Sequence, residues 1–168
     1  MRYLAVKIIG CVLLVLATTL IGFAKAHRLC QRRDTLLAFT GFLNALSTNI
    51  RYNSSDIFSV IELCKDSFSQ MLVKHLRDYE GAFSVRWKSA VKNLPESCSL
   101  NIKDKDIITS FGEKLGVTDV QGQIEHIEHY QILAEAQLQN AVKEISDKSK
   151  LYRTMGFFAG TAAALVLI

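Results

Sequence analysis

The sequence predicts an all-α fold: a helical bundle of about five to six helices, whose long first and last helices continue into an N-terminal and a short C-terminal transmembrane helix. The 168 residues include one proline and nine glycines, so few positions interrupt a helix. Apolar residues in the middle of the chain recur at alternating spacings of three and four, the period of a helix with one apolar face. Uncharged apolar runs occupy both ends of the chain.

The N-terminal run, residues 8–24, contains 17 uncharged residues in succession. At about 1.5 Å per residue such a helix is about 25 Å long, near the lower limit for crossing a bilayer, and Lys7 is able to extend its side chain to the headgroups. A cleavable signal peptide is the alternative, since Ala24-Lys25-Ala26 has the A-x-A form of a cleavage site. The length of the run and the basic residues that follow it favour a permanent anchor.

The C-terminal run, residues 154–168, contains 15 uncharged residues, a length that suits either a short span or a buried core helix. It has no polar face to present to water, and Gly156 and Gly160 form a G-x-x-x-G that allows close helix approach in lipid. We predict a short second span. The expected organisation is therefore an anchor over 1–26, a cytoplasmic helical bundle over 27–153 and a membrane helix over 154–168.

The distribution of basic residues predicts the orientation of the chain in the membrane. Basic residues follow the first run and precede the second: Lys25, Arg28, Arg32, Arg33, Lys143, Lys148, Lys150 and Arg153. Because basic flanks stay on the cytoplasmic side, the bulk of the chain is expected in the cytoplasm at the cell membrane. Residues 34–142 carry 10 basic and 14 acidic residues, a net −4 that disfavours nucleic-acid binding. Four widely spaced cysteines favour a reducing compartment.

The middle of the chain divides into helices. The first helix is expected to leave the membrane and run to about Asn49, with an apolar stripe of Leu36, Phe39, Leu43, Leu46 and Ile50. The turn Tyr52-Asn53-Ser54-Ser55 follows it. Apolar residues then indicate helices over 57–64 and 68–79, a short helix from Ser84 and a helix over 104–115. Trp87 is interpreted as a core or groove anchor.

The sharpest local pattern is a predicted helical hairpin. Gly116 stands where a helix ends in the left-handed conformation, and Thr118-Asp119-Val120-Gln121 has the form of a capping box. The last helix starts there and runs without interruption to Arg153. Seven of nine residues at its alternating three and four spacings are apolar, which predicts a coiled-coil-like seam.

No pattern of catalytic chemistry is visible. Glu125, His126, Glu128 and His129 form the one cluster suited to a metal, but Glu125 and His129 lack the Glu-x-x-His spacing of di-iron bundles. A solvated polar face is the expectation for this cluster. No phosphate-binding loop or nucleophile elbow occurs. The sequence therefore predicts no enzyme, no cofactor and no metal.

On the basis of its motifs, the chain resembles the stage III sporulation protein AB family over essentially its whole length. The matching features are the N-terminal span, Arg32-Arg33, Leu43-x-x-Leu46-x-x-x-Ile50-x-Tyr52, Trp87, Phe111-Gly112-x-x-Leu115-Gly116-x-x-Asp119-x-x-x-Gln123, and Lys150-Leu151-Tyr152-Arg153-x-x-Gly156 before the final span. Each piece is weak alone, but their order and spacing are specific.

The resemblance implies a membrane protein of the mother cell around the forespore, acting with other stage III sporulation proteins. It also implies a cytoplasmic domain similar to the F-type platform domain of type II secretion systems, with the cytoplasmic ATPase stage III sporulation protein AA as partner. The implied function is a scaffold in a secretion-like complex. Two alternatives are a small regulatory or signalling protein that dimerises through its seam, and a helical protein released outside the cytoplasm by signal cleavage.

Two groups of residues are candidates for function. The first is the hairpin motif: Phe111, Gly112, Leu115, Gly116, Thr118, Asp119, Gln121 and Gln123. The second is an acidic tip. Between Pro95 and Glu135 there are eight acidic and three basic residues, a net −5, and Asp104, Asp106 and Glu113 are the predicted partner-binding positions. Solubility of the tip is the alternative explanation for this charge.

Overall fold

The computed structural model describes residues 2–52, 57–64, 67–77 and 81–167. These residues form six α-helices, α1 (Arg2–Tyr52), α2 (Ile57–Leu63), α3 (Ser67–Arg77), α4 (Phe83–Lys92), α5 (Ile102–Glu113) and α6 (Val120–Leu167), with a 3-10 turn at Glu96–Cys98. No strand occurs among them. The all-α prediction and the number of helices are confirmed.

The chain divides into two units, which we name the terminal unit (Met1–Cys30 with Ala141–Ile168) and the central unit (Gln31–Asn140). The terminal unit consists of the beginning of α1 and the end of α6. The central unit consists of the rest of these two helices together with α2 to α5. The first and last helices are long, at 51 and 48 residues, because no proline interrupts either of them.

The core of the central unit is aromatic. Phe39 and Phe42 on α1 meet Phe68 on α3, Trp87 on α4 and Phe111 on α5, with ring centroids 5.1–6.4 Å apart for the pairs in contact. All five rings are fully buried. The Trp87 indole N–H donates to the Ile108 carbonyl over 2.7 Å, so its polar atom is satisfied inside the core. The prediction that Trp87 is a core anchor is confirmed.

The helix boundaries refine the predictions. All five residues of the α1 stripe are buried, as expected. Helix α5 begins at Ile102 instead of Asp104, because Asn101 and Asp104 form the capping box that starts it. Helix α4 begins at Phe83, one residue before the predicted start, and Ala82 gives it no side-chain cap. Of the predicted turn Tyr52-Asn53-Ser54-Ser55, Tyr52 is the last residue of α1, and residues 53–55 lie outside the described residues.

Candidate functional site

In the terminal unit, α1 and α6 pack with almost no side chain between them. A Cβ added at Gly22 would lie 2.5 Å from the Tyr152 carbonyl oxygen, and one at Gly156 would lie 2.7 Å from the Thr18 carbonyl oxygen. Gly160 likewise faces Thr18. Only glycine fits at such distances, so the G-x-x-x-G of α6 is used against the chain's own first helix.

The large apolar side chains of the terminal unit point outward. Those more than 45% exposed include Ile9, Val12, Leu13, Leu16, Leu20, Ile21 and Phe23 on α1, and Leu151, Met155, Phe157, Phe158 and Leu165 on α6. The buried positions are small: Cys11, Ala26, Ala141 and Ala164. A surface of this kind is unfavourable in water and suits a lipid environment.

Within the described residues, one helix segment, Ile9–Arg51, is long and apolar enough to cross a bilayer, and 11% of its most apolar stretch is buried. An N-terminal apolar helix able to anchor the chain is therefore present. The second predicted span, 154–168, ends beyond residue 167, the last described one, and its transmembrane assignment remains a prediction.

Basic residues lie next to aromatic rings where the apolar segments end. The Lys25 ammonium lies 5.8 Å from the centre of the Tyr152 ring, and the Arg153 guanidinium lies 5.4 Å from the centre of the Phe23 ring. Each pair joins α1 to α6 through a cation–π contact. The two basic flanks therefore meet at one level of the terminal unit, as a shared membrane interface requires.

A buried ion pair joins three helices of the central unit. Arg32 Nε donates to Asp104 Oδ2 over 2.7 Å, and Arg32 Nη2 donates to Asp104 Oδ1 over 3.0 Å and to Gln137 Oε1 over 3.5 Å. The Asp104 Oδ2 also accepts the Asn101 backbone N–H at 3.0 Å, which closes the capping box of α5. The two side chains of the pair are 7% and 0% exposed. Such a bidentate pair fixes the register between α1, α5 and α6.

This pair corrects one expectation. Asp104 does not belong to an exposed acidic surface, because its carboxylate is buried and bound to Arg32. Arg32 is buried as well, although it is one of the basic residues that follow the apolar run in sequence. Sequence reasoning missed both roles and missed Gln137, since their contacts join residues 72 and 105 positions apart.

The other two predicted acidic residues, Asp106 and Glu113, are exposed on α5. Seven residues apart, they lie on the same side of the helix, about 10 Å from one another along its axis. Glu113 also borders a cavity of about 330 Å³ whose remaining lining residues are Ser84, Val85, Lys88 and Ser89 of α4. Val85 is 58% exposed there. The α4–α5 face thus combines acidic groups, a groove and an exposed apolar side chain, features that suit a protein partner.

The predicted hairpin joins α5 to α6. Gly116 has φ +81°, the left-handed conformation that favours glycine. The N-terminal cap of α6 is Asp119, whose Oδ1 accepts the Gly122 N–H at 3.0 Å, and not the predicted Thr118. Gln121 is also not part of a capping box: its side chain donates to Glu125.

Gln123 holds the connection together. Its Oε1 accepts the Gly116 N–H at 3.0 Å, while its Nε2 donates to the Thr118 hydroxyl at 2.8 Å and to the Lys114 carbonyl at 3.4 Å. One buried amide therefore satisfies polar groups along most of the loop. The loop leaves Val117 74% exposed and Val120 49% exposed.

The remaining residues of the hairpin motif belong to the core. Phe111 and Leu115 are buried, and Gly112 faces the Trp87 ring so closely that a Cβ would overlap it. Gly112 is therefore needed for contact between α4 and α5. The motif is a structural element in which core packing and loop bracing occur together.

The His126 cluster is not simply a solvated face. The His126 ring stacks on Phe111, with centroids 5.4 Å apart, and its Nε2 lies 2.9 Å from the Phe111 carbonyl oxygen. His126 thus braces α6 against α5. In the described part of the chain, His, Cys, Asp and Glu side chains form no group of three or more placed to hold a metal ion.

The sequence matches the family described as stage III sporulation protein AB over residues 7–168. The chain belongs to this family. The stage III sporulation protein AB of Bacillus subtilis (strain 168) is 25% identical over 169 residues, covering 96% of this chain and 99% of the relative. No solved structure matches the chain significantly. The match covers both units, and family membership gives the protein a role in sporulation.

Proposed function

We propose that this stage III sporulation protein AB family member is a non-enzymatic membrane scaffold of a secretion-like complex, placed at the boundary between mother cell and forespore. In this proposal its central unit is the equivalent of the F-type platform domain of type II secretion systems. The central unit lies in the cytoplasm and binds the sporulation ATPase, stage III sporulation protein AA, together with other stage III sporulation proteins.

The observation that carries the scaffold role is the glycine-mediated pairing of the two chain ends. A pair of helices with large apolar side chains outside and glycines inside suits a two-span anchor. The cation–π contacts of Lys25 and Arg153 support a common interface at one level, and therefore a central unit on the cytoplasmic side.

The rival function, dimerisation through a coiled-coil seam on α6, finds less support. The seam residues Ile124, Ile127 and Ala134 are buried inside the central unit, where Ile127 and Ala134 belong to its core. They contact the chain's own helices and are not displayed to a second copy. Exposed large apolar side chains of the central unit lie on several elements: Leu37 on α1, Val85 on α4, Ile102 on α5, Val117 in the loop before α6, and Val120 and Ile132 on α6.

The partner proposal rests on the α4–α5 face with Asp106, Glu113 and Val85. Full-length protein in detergent is immobilised, and binding of purified stage III sporulation protein AA is followed at low salt. We expect Asp106→Lys/Glu113→Lys to slow association by about tenfold, because complementary charge acts mainly on the encounter rate. The matched control is Glu96→Lys/Glu135→Lys, which changes the net charge equally at two other exposed positions.

Equal slowing in the two double variants would mean that only overall charge matters and that this face is not the binding face. Absence of binding by the unmodified chain would reject the ATPase as partner. Asp104 is left unchanged in these variants, because reversing a buried, paired carboxylate would damage the fold itself.

A further inference from the structure

A groove runs along the helix pair of the terminal unit. Its lining comes from both helices: Thr18, Ile21, Gly22 and Lys25 on α1, and Tyr152, Met155, Gly156 and Ala159 on α6. Its volume is about 280 Å³. Gly22 and Gly156 line its floor, where the backbones of the two helices come closest.

The groove is polar at one end and apolar along its length. Lys25 is the first charged residue after the apolar run 8–24, and Tyr152 lies just before the run 154–168. From these two residues the lining extends seven residues along each helix, to Thr18 and Ala159, a depth of about 10 Å. The residues along this stretch are apolar or small. The groove therefore has a charged end and an apolar body, which is the distribution of polarity in an amphiphilic molecule.

The cation at the mouth is held in position. The Lys25 ammonium lies over the Tyr152 ring at 5.8 Å, while its side chain remains exposed. Arg153 is fixed over Phe23 on the same helix pair. A basic group over a tyrosine ring, placed where an apolar segment ends, matches a phosphate group at the membrane interface.

We infer that this groove is a binding site for an anionic phospholipid. The phosphate lies against Lys25 and Tyr152, and one acyl chain lies along Ile21, Met155 and Ala159. The volume, close to the lower end for ligand sites, accommodates part of one lipid with the remainder in the bilayer. Charge complementarity at Lys25 selects an anionic over a zwitterionic headgroup. The inference rests on the proposed membrane placement of both helices.

The test uses full-length protein, purified in mild detergent, stripped of lipid and titrated with phosphatidylglycerol or phosphatidylcholine under native mass spectrometry. We expect one phosphatidylglycerol to bind in preference to phosphatidylcholine. Lys25→Gln should weaken binding of phosphatidylglycerol about fivefold, the usual contribution of one lysine at an anionic headgroup. Lys150→Gln, an exposed cation outside the groove, is the matched control and should leave binding within about twofold.

A second pair of variants tests the apolar part. Ala159→Phe fills the groove and should reduce binding of both lipids, while Ala162→Phe, on an exposed position outside the groove, should not. Equal losses in Lys25→Gln and Lys150→Gln would show diffuse attraction and overturn the site. Loss of a protein dimer in Ala159→Phe, with lipid binding unchanged, would assign the groove to a second copy.

Failure of this inference is distinguishable from failure of the proposed anchor. Membranes containing each variant are washed at alkaline pH. If the chain is retained after the wash but neither Lys25→Gln nor Ala159→Phe changes lipid binding, the groove is not a lipid-binding site. The proposed membrane anchor is then still supported. Release of the unmodified chain by the wash would reject the anchor itself.

Discussion

The two units of the chain distribute large and small side chains in opposite ways. The central unit buries its largest residues, with five aromatic rings completely enclosed. The terminal unit buries glycine, alanine and cysteine and exposes leucine, isoleucine and phenylalanine. Burial of apolar area stabilises a core in water, whereas in lipid it gives no advantage and close backbone packing replaces it. This contrast is what we expect if the terminal unit lies in lipid and the central unit in water, as proposed.

The units also differ in how they use polar contacts. The central unit contains a buried charge pair, Arg32 with Asp104, extended by Gln137. The terminal unit has cation–π contacts at two exposed basic residues, Lys25 and Arg153. A mutation at a buried pair should therefore have a much larger effect on stability than one at the exposed basic residues.

The largest expected effect is at Asp104. Asp104→Ala leaves Arg32 buried without its counter-charge and removes the acceptor of the Asn101 N–H in the capping box of α5, so we expect a loss of about 3–5 kcal/mol in the free energy of unfolding. Trp87 is the only tryptophan, and its fluorescence during urea unfolding of the full chain in detergent reports the central unit. Asp106→Ala, on the same helix but exposed, is the control. A comparable loss in both variants would contradict the role given to the buried pair.

The next effect distinguishes two helical glycines. An added Cβ at Gly112 overlaps the Trp87 ring, whereas one at Gly41 meets nothing within 4 Å. Gly112→Ala should destabilise the central unit by about 1–3 kcal/mol through overpacking. Gly41→Ala should stabilise it by up to about 1 kcal/mol, because alanine favours the helix. Thermal unfolding followed by circular dichroism measures both, and equal shifts of Tm would refute the close contact between α4 and α5.

A smaller effect is expected at the loop before α6. Gly116→Val forces a β-branched residue into a left-handed conformation, which costs about 1–2 kcal/mol and lowers Tm by several degrees. Val117→Gly, at the neighbouring exposed position, is a control for a simple change of loop composition. An unchanged Tm for Gly116→Val would mean that the observed φ of +81° is not required by the fold.

The smallest effect is a pH dependence confined to the central unit. Burial raises the pKa of the Cys98 thiol, and burial together with the Glu113 charge raises the pKa of the Tyr130 hydroxyl. Groups with a higher pKa in the folded state stabilise it below the unfolded-state pKa, and this contribution is lost as pH rises through the folded pKa. The free energy of unfolding should therefore fall above about pH 9. The fall of the unfolding free energy with pH should be shallower in Tyr130→Phe than in the unmodified chain. An identical slope in the two would contradict a contribution from the Tyr130 hydroxyl.

Local patterns predicted the helices well. The stripe from Leu36 to Ile50 is buried throughout because its spacing is a property of one helix. The glycine in the left-handed position before α6 was also predicted, since Gly116 follows an apolar helix directly. The cap of α6 was placed one residue early because Thr118 and Asp119 are adjacent and both accept backbone N–H groups well.

Contacts between distant residues could not be predicted in the same way. Arg32 follows an apolar run and Asp104 lies in an acidic segment, so the sequence predicted membrane orientation from the first residue and a partner contact for the second. Their pairing depends on which helices become neighbours, which no local spacing encodes. The same holds for Gly156 and Gly160, whose pattern indicated close packing without identifying Thr18 and Gly22 as the other side.

The proposed anchor depends most on the pairing of the two chain ends in the membrane. Protein topology is one test: a reporter active only outside the cytoplasm, fused after Gln70, should be silent. That experiment fixes the side of the central unit. It does not show that α1 and α6 touch.

The most direct measurement is a disulfide between the two helices. The Cys11 Sγ lies 3.7 Å from the Ala164 carbonyl oxygen, and both residues are buried. In a chain that keeps Cys11 and lacks the other three native cysteines, Ala164→Cys should cross-link to Cys11 on oxidation in membranes, so that the end fragments stay joined after proteolysis of the central unit. Leu165→Cys in the same background is the control, since Leu165 is 77% exposed. No cross-linking above this control, or cross-links between chains alone, would contradict the pairing.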